Sequence, residues 1–350
     1  MKYNRLSNTD IEVPEICLGT MTFGEQNTMP EAFQQLHYAL EQGVNFWDTA
    51  EMYPVPPKSE TQGATERIIG EWFKQYGGRN NVFLASKIAG PAFGGGHIRD
   101  GQTRFNQHYI SQAIDGSLER LQTDYIDLYQ LHWPERTTNF FGHLGYNNEM
   151  ATAENHHATR FEDTLLTLEQ EIKKGRIRYI GLSNETPWAT MKFLQVAEKL
   201  NLSKFVTVQN PYSLLNRSYE VGMAEISKYE NIGLLAYSPL AFGMLTGKYR
   251  HGARPQNGRI TKFSRFTRYT NPQCDWATEQ YAQIAQKHGL TLTQLALAFI
   301  KQQFFVTSTI IGATNLEQLK ENIGAFSIQL SHEILAEIEQ VHIQQPNPAP

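Results

Sequence analysis

The run Ile232-Gly233-Leu234-Leu235-Ala236 decides how the rest of the chain is read. It shows no alternation of apolar and polar residues, so both faces of this strand expect apolar neighbours, as in a parallel sheet covered by helices. Working outward, further short β-rich runs fall at 15–18, 45–48, 82–86, 126–130, 178–182, 206–209, 233–237 and 308–311. Segments of helical period separate them at 30–41, 65–75, 107–121, 161–174, 188–199, 219–228, 276–300 (broken at Gly289) and 316–323. Pro30 and Pro187 suit first-turn positions, and Asn315 suits a helix cap. Eight strands, each followed by a helix, predict an α/β fold of the closed (β/α)8 TIM-barrel type. An open doubly wound sheet usually has fewer strands and often carries a Gly-rich phosphate turn.

Two stretches fall outside this rhythm. Residues 3–6 and 11–13 flank the turn Ser7-Asn8-Thr9-Asp10 and read as an N-terminal hairpin. Ser331 can cap a further helix over 333–342, which leads into a Pro-rich tail. With no internal repeat and no composition break, residues 1–350 read as one barrel domain with long βα-loop insertions.

Composition narrows the function. Lys plus Arg is 31 against 35 Asp plus Glu, a formal charge of −4, which argues against a dedicated nucleic-acid or membrane-surface binder. Hydrophobic residues make up 40% of the chain, enough for a sizeable core and too many for a disordered protein. Two cysteines, Cys17 and Cys274, make neither a disulfide framework nor a four-Cys zinc site. No apolar run reaches the ~18 residues of a membrane helix, and no leader is expected at Met1–Asn4. A cytoplasmic globular protein is the expectation.

In a barrel, chemistry sits where the strands end and the βα loops converge. Asp48 ends one strand and Tyr53 follows in its loop; Lys87 ends the next strand and His132 the one after. Alone, each has an ordinary explanation: a cap, a packed ring, an edge cation, a local hydrogen bond. Together, on matching strand ends, they form a proton-delivery set for a carbonyl oxygen. A free Tyr with pKa about 10 is a poor acid at neutral pH, and an adjacent ammonium is expected to lower that pKa. Asp48 would hold Lys87 and balance its charge, and His132 would orient the carbonyl.

The stretch from Gly43 through Phe46-Trp47-Asp48-Thr49-Ala50-Glu51-Met52-Tyr53 resembles the signature of the aldo-keto reductases. So do Leu84-Ala85-Ser86-Lys87, Asp127-Leu128-Tyr129-Gln130-Leu131-His132-Trp133-Pro134, Gly181-Leu182-Ser183-Asn184 and Tyr237-Ser238-Pro239-Leu240. The closest likeness is to the Tas-like branch, near the potassium-channel β-subunit type. By that resemblance Tyr53 is the general acid, tuned by Lys87 and Asp48, with His132 orienting the substrate. Pro54 departs from the family, which commonly has Gly after the Tyr. Ser183, Asn184 and Gln209 match residues that bind the nicotinamide carboxamide, and Tyr237 matches the aromatic that stacks on the ring. Gly19, Thr20 and Met21 match the turn at the nicotinamide ribose. Ser238, Leu240 and Gly243 match the pyrophosphate loop, and Gly312, Thr314, Gln318, Glu321 and Asn322 match the adenosine end.

The choice between NADPH and NADH rests on charge, because the family's phosphate-binding positions carry the uncharged Gly312 and Gln318 here. Residues 248–268 hold seven basic residues and no acid, where an even spread of the 31 would place about two. This reads as a basic arm folded over the cofactor, with Lys248 and Arg259 nearest the 2′-phosphate. Its alternatives are a flexible exposed loop or, less in keeping with the acidic chain, an RNA contact. Residues 135–160, with Phe140, Phe141, His143, Tyr146, His156 and His157, open at the catalytic rim and read as an aromatic lid; the alternative is a surface excursion. Neither His156-His157 nor Gly94-Gly95-Gly96 makes a metal or phosphate motif.

The leading expectation is therefore an NADPH-dependent aldo-keto reductase acting on a small carbonyl substrate, with no metal, nucleic-acid or membrane partner. One alternative is a cofactor-sensing regulatory subunit with slow turnover. Another is an unrelated barrel with Lys87 as a Schiff-base amine.

Overall fold

The computed structural model describes residues 1–91, 96–154 and 158–349; Gly94, Gly95, His156 and His157 lie outside them. Ten strands occur among the described residues: β1 (Tyr3–Arg5), β2 (Glu12–Pro14), β3 (Ile16–Gly19), β4 (Phe46–Asp48), β5 (Phe83–Ile88), β6 (Ile126–Leu131), β7 (Ile177–Ser183), β8 (Thr207–Pro211), β9 (Gly233–Tyr237) and β10 (Val306–Ile311). β3 to β10 close into an all-parallel barrel, with β10 pairing both β9 and β3. β1 and β2 form the expected antiparallel hairpin. Its turn closes through Leu6 N–H donating to Ile11 O at 2.8 Å.

The helices begin where side chains can satisfy their first amides. Asn106 accepts from Tyr109 N at 3.1 Å, Asn315 from Gln318 N at 2.9 Å and Ser331 from Ile334 N at 3.3 Å. The break expected at Gly289 is present: one helix ends at Lys287, Gly289 takes φ +68°, and Thr291 caps the next helix from Leu292. Residues 219–228, expected as one helix, divide. Ser218–Val221 is a 3₁₀ turn and the α-helix starts at Met223, because Gly222 in extended backbone interrupts the helical path.

Side chains alternate across each strand, and the alternation sorts this barrel into two zones. Toward the N-terminal end the inward positions are apolar: Cys17, Phe46, Phe83, Leu128, Leu235 and Ile310 pack together, with Leu6 and Val13 of the hairpin closing the floor. Two residues further along the same strands the inward positions become polar: Asp48 after Phe46, Lys87 after Ala85, Gln130 after Leu128 and Tyr237 after Leu235. Outward residues such as Trp47, Leu84, Tyr129 and Leu234 join the larger core under the helices. The apolar floor fixes the strands rigidly, and the polar rim inherits their positions.

Candidate active site

Lys87 is fully enclosed and lies between an acid and a phenol. Its ammonium donates to Asp48 Oδ2 at 2.5 Å, to Thr49 O at 2.8 Å and to Tyr53 Oη at 3.4 Å. Burial is the largest influence and disfavours the charge on Lys87, but Asp48 and Tyr53 together outweigh it and the net shift is upward, so the amine stays an ammonium. Asp48 is held on its other oxygen by Gln209 Nε2 at 2.8 Å and Gln130 Nε2 at 3.1 Å. Gln130, on the inward face of β6, was not singled out in the sequence; the available signal was a polar residue at an inward position between Leu128 and His132. Its side chain has room because the facing residue is Gly181, where a Cβ would come within 3.0 Å of Gln130 Cγ and 2.7 Å of Thr207 Oγ1.

The Tyr53 loop is clamped from below. Glu51 accepts from Ala89 N at 2.7 Å and pairs with Arg99, while Gly63 N donates to Tyr53 O at 3.0 Å. The phenol differs from expectation in one respect. Burial pushes its pKa up; the Lys87 ammonium pulls it down by less, and Asp48 adds to the rise. Enclosure costs the phenolate more solvation than one cation returns, so Tyr53 keeps its proton at neutral pH. Because Lys87 donates to its oxygen, the phenol's own O–H remains available to the cavity.

His132 lies edge-on to Tyr53, with ring centroids 5.6 Å apart, and tilts against Trp133 at 4.8 Å. Burial, aided by the Lys87 charge, drives its pKa well below the usual value, so the imidazole is neutral. Its Nδ1 is buried without a hydrogen-bond partner among the described residues. Unfolded chain takes up a proton here near pH 6.5 that the native site refuses, so stability should fall as pH drops through about 6.5. His342 shifts in the same direction. The expected result is that His132→Gln flattens, without abolishing, the decline of urea unfolding free energy between pH 7 and 5.

A cavity of about 880 Å³ opens at the C-terminal ends of the barrel strands. It brings together the residues anticipated from sequence with two exceptions. Lys87 lies beneath the cavity wall, acting through Tyr53. Thr20 is fully buried, and its hydroxyl donates to Asp48 O at 2.8 Å, so it braces β4 and does not line the cavity. Tyr53, His132, Asp48, Gly19, Met21, Ser183, Asn184, Gln209, Tyr237, Ser238, Leu240, Gly243, Lys248, Arg259, Gly312, Thr314, Gln318, Glu321 and Asn322 all face it.

Several of these hold one another in place. Tyr237 Oη donates to Asn184 Oδ1 at 2.6 Å, and Asn184 Nδ2 donates to His132 O at 2.9 Å. Gln318 Oε1 accepts from Thr314 N at 3.0 Å, and Asn322 Nδ2 donates to Gly312 O at 3.2 Å, fixing the loop before the Leu316–Gly324 helix. Ser238, Ala241, Phe242 and Gly243 all take positive φ, a conformation that turns backbone amides inward into an anion-binding concavity. At Gly243, φ +95° suits glycine, and Lys248 crosses this loop so closely that a Cβ there would meet its Cε at 2.6 Å.

The segment 248–268 is folded against the cavity. Phe242 anchors it through Phe266 at 5.0 Å and Tyr269 at 4.8 Å. Arg250 pairs with Glu279 at 2.9 Å and turns away, while Lys248, Arg259, Arg265 and Arg268 line the cavity. Lys248 and Arg259 have no carboxylate within salt-bridge distance among the described residues; burial lowers both pKa values, and Arg259 lowers that of Lys248 further. Two cations without an acid, Arg259 half-buried and Lys248 exposed at the cavity edge, fit an anionic group such as a phosphate. Among the described residues, the insertion at 135–160 reaches the cavity through Phe141 and Gly142; Phe140 packs behind Phe141, Tyr146 and His143 are exposed, and Asn148–Thr152 forms a short helix. Its base is tied down by Glu135, which accepts from Phe105 N and Thr159 N at 2.8 Å each. The C-terminal segment was read only as a tail, yet Pro348 and Ala349 line the cavity, held by Asn271 Nδ2 donating to Pro348 O at 2.9 Å.

Comparison with known proteins agrees with this geometry. The aldo/keto reductase family model matches residues 15–343. Protein tas of Escherichia coli (strain K12) is 51% identical over 351 residues, spanning the whole of both chains. Uncharacterized oxidoreductase YrpG of Bacillus subtilis (strain 168) is 31% identical over 342 residues, 97% of this chain and 96% of its own. An aldo-keto reductase of Babesia bovis is 36% identical over 274 residues, 75% of this chain and 96% of its own.

Proposed function

The chain belongs to the aldo/keto reductase family, and on that premise we propose that it is an NADPH-dependent oxidoreductase that reduces an aldehyde or ketone to an alcohol. The single observation that carries the reading is the Asp48–Lys87–Tyr53 chain beneath a cavity whose residues suit a dinucleotide. Bound NADPH would supply a hydride to the carbonyl carbon. Tyr53 transfers its proton to the carbonyl oxygen, and the electron pair left on Tyr53 Oη is met by the Lys87 ammonium already donating to that atom. Asp48 keeps Lys87 charged through the step. His132, neutral and with Nδ1 unpartnered among the described residues, orients and polarises the carbonyl without adding a second positive charge.

Tyr237 offers its ring to the nicotinamide, with Ser183, Asn184 and Gln209 at the carboxamide and Gly19 and Met21 at the ribose. Ser238, Leu240 and Gly243, on the loop where Ser238, Ala241, Phe242 and Gly243 take positive φ, suit the pyrophosphate. Lys248 and Arg259 take the 2′-phosphate, and Gly312, Thr314, Gln318, Glu321 and Asn322 the adenosine. The reaction is assigned to the cytosol, where free buried thiols such as Cys17 and Cys274 persist. Among the described residues, no helix is long and apolar enough to cross a membrane.

The test is a fluorescence titration with NADPH and with NADH. Native protein should bind NADPH the more tightly, and Lys248→Ala and Arg259→Ala should each weaken NADPH about 10-fold or more while moving NADH much less. Equal affinity for the two nucleotides would remove the role given to the arm. Binding of neither would remove the reductase reading itself.

A further inference from the structure

Arg268 is a cation in the cavity wall that the cofactor assignment does not use. Its guanidinium faces the phenol groups of Tyr237 and Tyr269 and lies 5.9 Å from the ring centres of Phe141 and of Phe242. No carboxylate lies within salt-bridge distance of it among the described residues. Aromatic faces and phenols stabilise a guanidinium but do not neutralise it, and its planar fork of donors is suited to two oxygens of one oxyanion.

Lys248 and Arg259 act on each other, and Arg259 faces Tyr249 and Tyr53 and shares the Phe242 ring with Arg268, at 5.7 Å. Arg268 differs in bridging two walls: Tyr237, the ring offered to the nicotinamide, and Phe141, among the described residues the one aromatic of the 135–160 insertion that reaches the cavity. Phe141 packs on Trp133 at 5.9 Å, and Trp133 packs on His132, which orients the carbonyl. A carbonyl held between Tyr237 and the Tyr53–His132 pair would therefore carry its remaining substituent toward Phe141 and Arg268.

We propose that Arg268 is a specificity-determining residue that binds an oxyanion on the substrate, so that the preferred substrates are carbonyl compounds bearing a carboxylate or a phosphate. The aromatic walls hold the organic part of such a substrate, and the guanidinium closes on its anionic end. The inference rests on the reductase reading above and names the substrate class for that same site.

The test compares matched probes in the full-length protein. With NADPH, 4-carboxybenzaldehyde is set against 4-methylbenzaldehyde, and glycolaldehyde phosphate against glycolaldehyde. The anionic member of at least one pair should have the higher kcat/KM by about 10- to 100-fold, chiefly through KM, and the two pairs separate carboxylate from phosphate. Arg268→Gln should erase that advantage while leaving the neutral probes and NADPH affinity within about 2-fold, and Arg268→Lys should keep part of it. Equal use of charged and neutral probes by the native protein would overturn the proposal, as would a variant that slows both members of each pair alike. Weakened NADPH binding in Arg268→Gln would reassign the residue to the cofactor. Where native protein binds NADPH but turns over no probe, quenching of bound-NADPH fluorescence by 4-carboxybenzoate against toluene-4-carboxamide decides the matter: selective binding lost in Arg268→Gln supports the anchor, and its absence overturns it. Failure to bind NADPH at all is instead failure of the reductase reading.

Discussion

Tyr53→Phe is expected to lower kcat for carbonyl reduction by about 10²–10⁴-fold and to leave NADPH binding unchanged. The substitution removes one hydroxyl from a ring that is otherwise fixed by its loop and by His132, so shape is kept and only the proton donor is lost. The direction of the phenol's pKa sharpens the expectation. Burial holds Tyr53 protonated, so in the native enzyme nearly every molecule is competent to donate at neutral pH. In the variant a proton would have to come from water, with no positioned donor at the carbonyl oxygen. Steady-state turnover beside a fluorescence titration checks both halves: full activity in the variant would take Tyr53 out of the chemistry, and loss of NADPH binding would make its role structural.

Lys87→Met should have the second largest effect, on two quantities at once. The ammonium is wholly enclosed and its main partner, Asp48, is almost as deeply buried. Removing one member of such a pair leaves an uncompensated buried charge, at a cost of about 3–5 kcal/mol in unfolding free energy. Turnover should fall with it, because nothing remains to meet the negative charge that forms on Tyr53 Oη as the proton leaves. Pairing the change with Asp48→Asn separates the two effects. The double variant leaves no unpaired charge at this site, so much of the lost stability should return while activity stays low. Urea unfolding of the single and double variants makes the comparison; a double variant no more stable than Lys87→Met would show that the destabilisation comes from lost packing.

The close agreement between expected and observed strands has a physical basis in strand period. Phe46 and Asp48, Ala85 and Lys87, and Leu128 and Gln130 are two residues apart, so each apolar inward residue predicts the direction of the polar one that follows. In a barrel the strand ends share one rim, which is what places Asp48, Lys87 and His132 together; the ammonium beside a phenol points to Tyr53 as proton donor, and the family resemblance agrees. Gln130 obeyed the same rule and was legible in principle. Thr20 was misplaced because the turn after β3 carries its side chain under β4, an outcome of loop conformation and not of period.

What the sequence by itself determined was whatever repeats along a strand or helix: eight parallel strands, the N-terminal hairpin, the break at Gly289, and the strand-end places of Asp48, Lys87 and His132. Bond geometry and the burial of apolar faces act residue by residue, so they leave a pattern that can be read in order. Only the tertiary structure decided that Pro348 and Ala349 reach the cavity, that Arg268 meets Phe141 from an insertion more than a hundred residues earlier, and that Tyr53 is held protonated. Those outcomes depend on where loops of no fixed period come to rest and on how completely the surrounding atoms exclude water. Neither quantity belongs to any one stretch of chain.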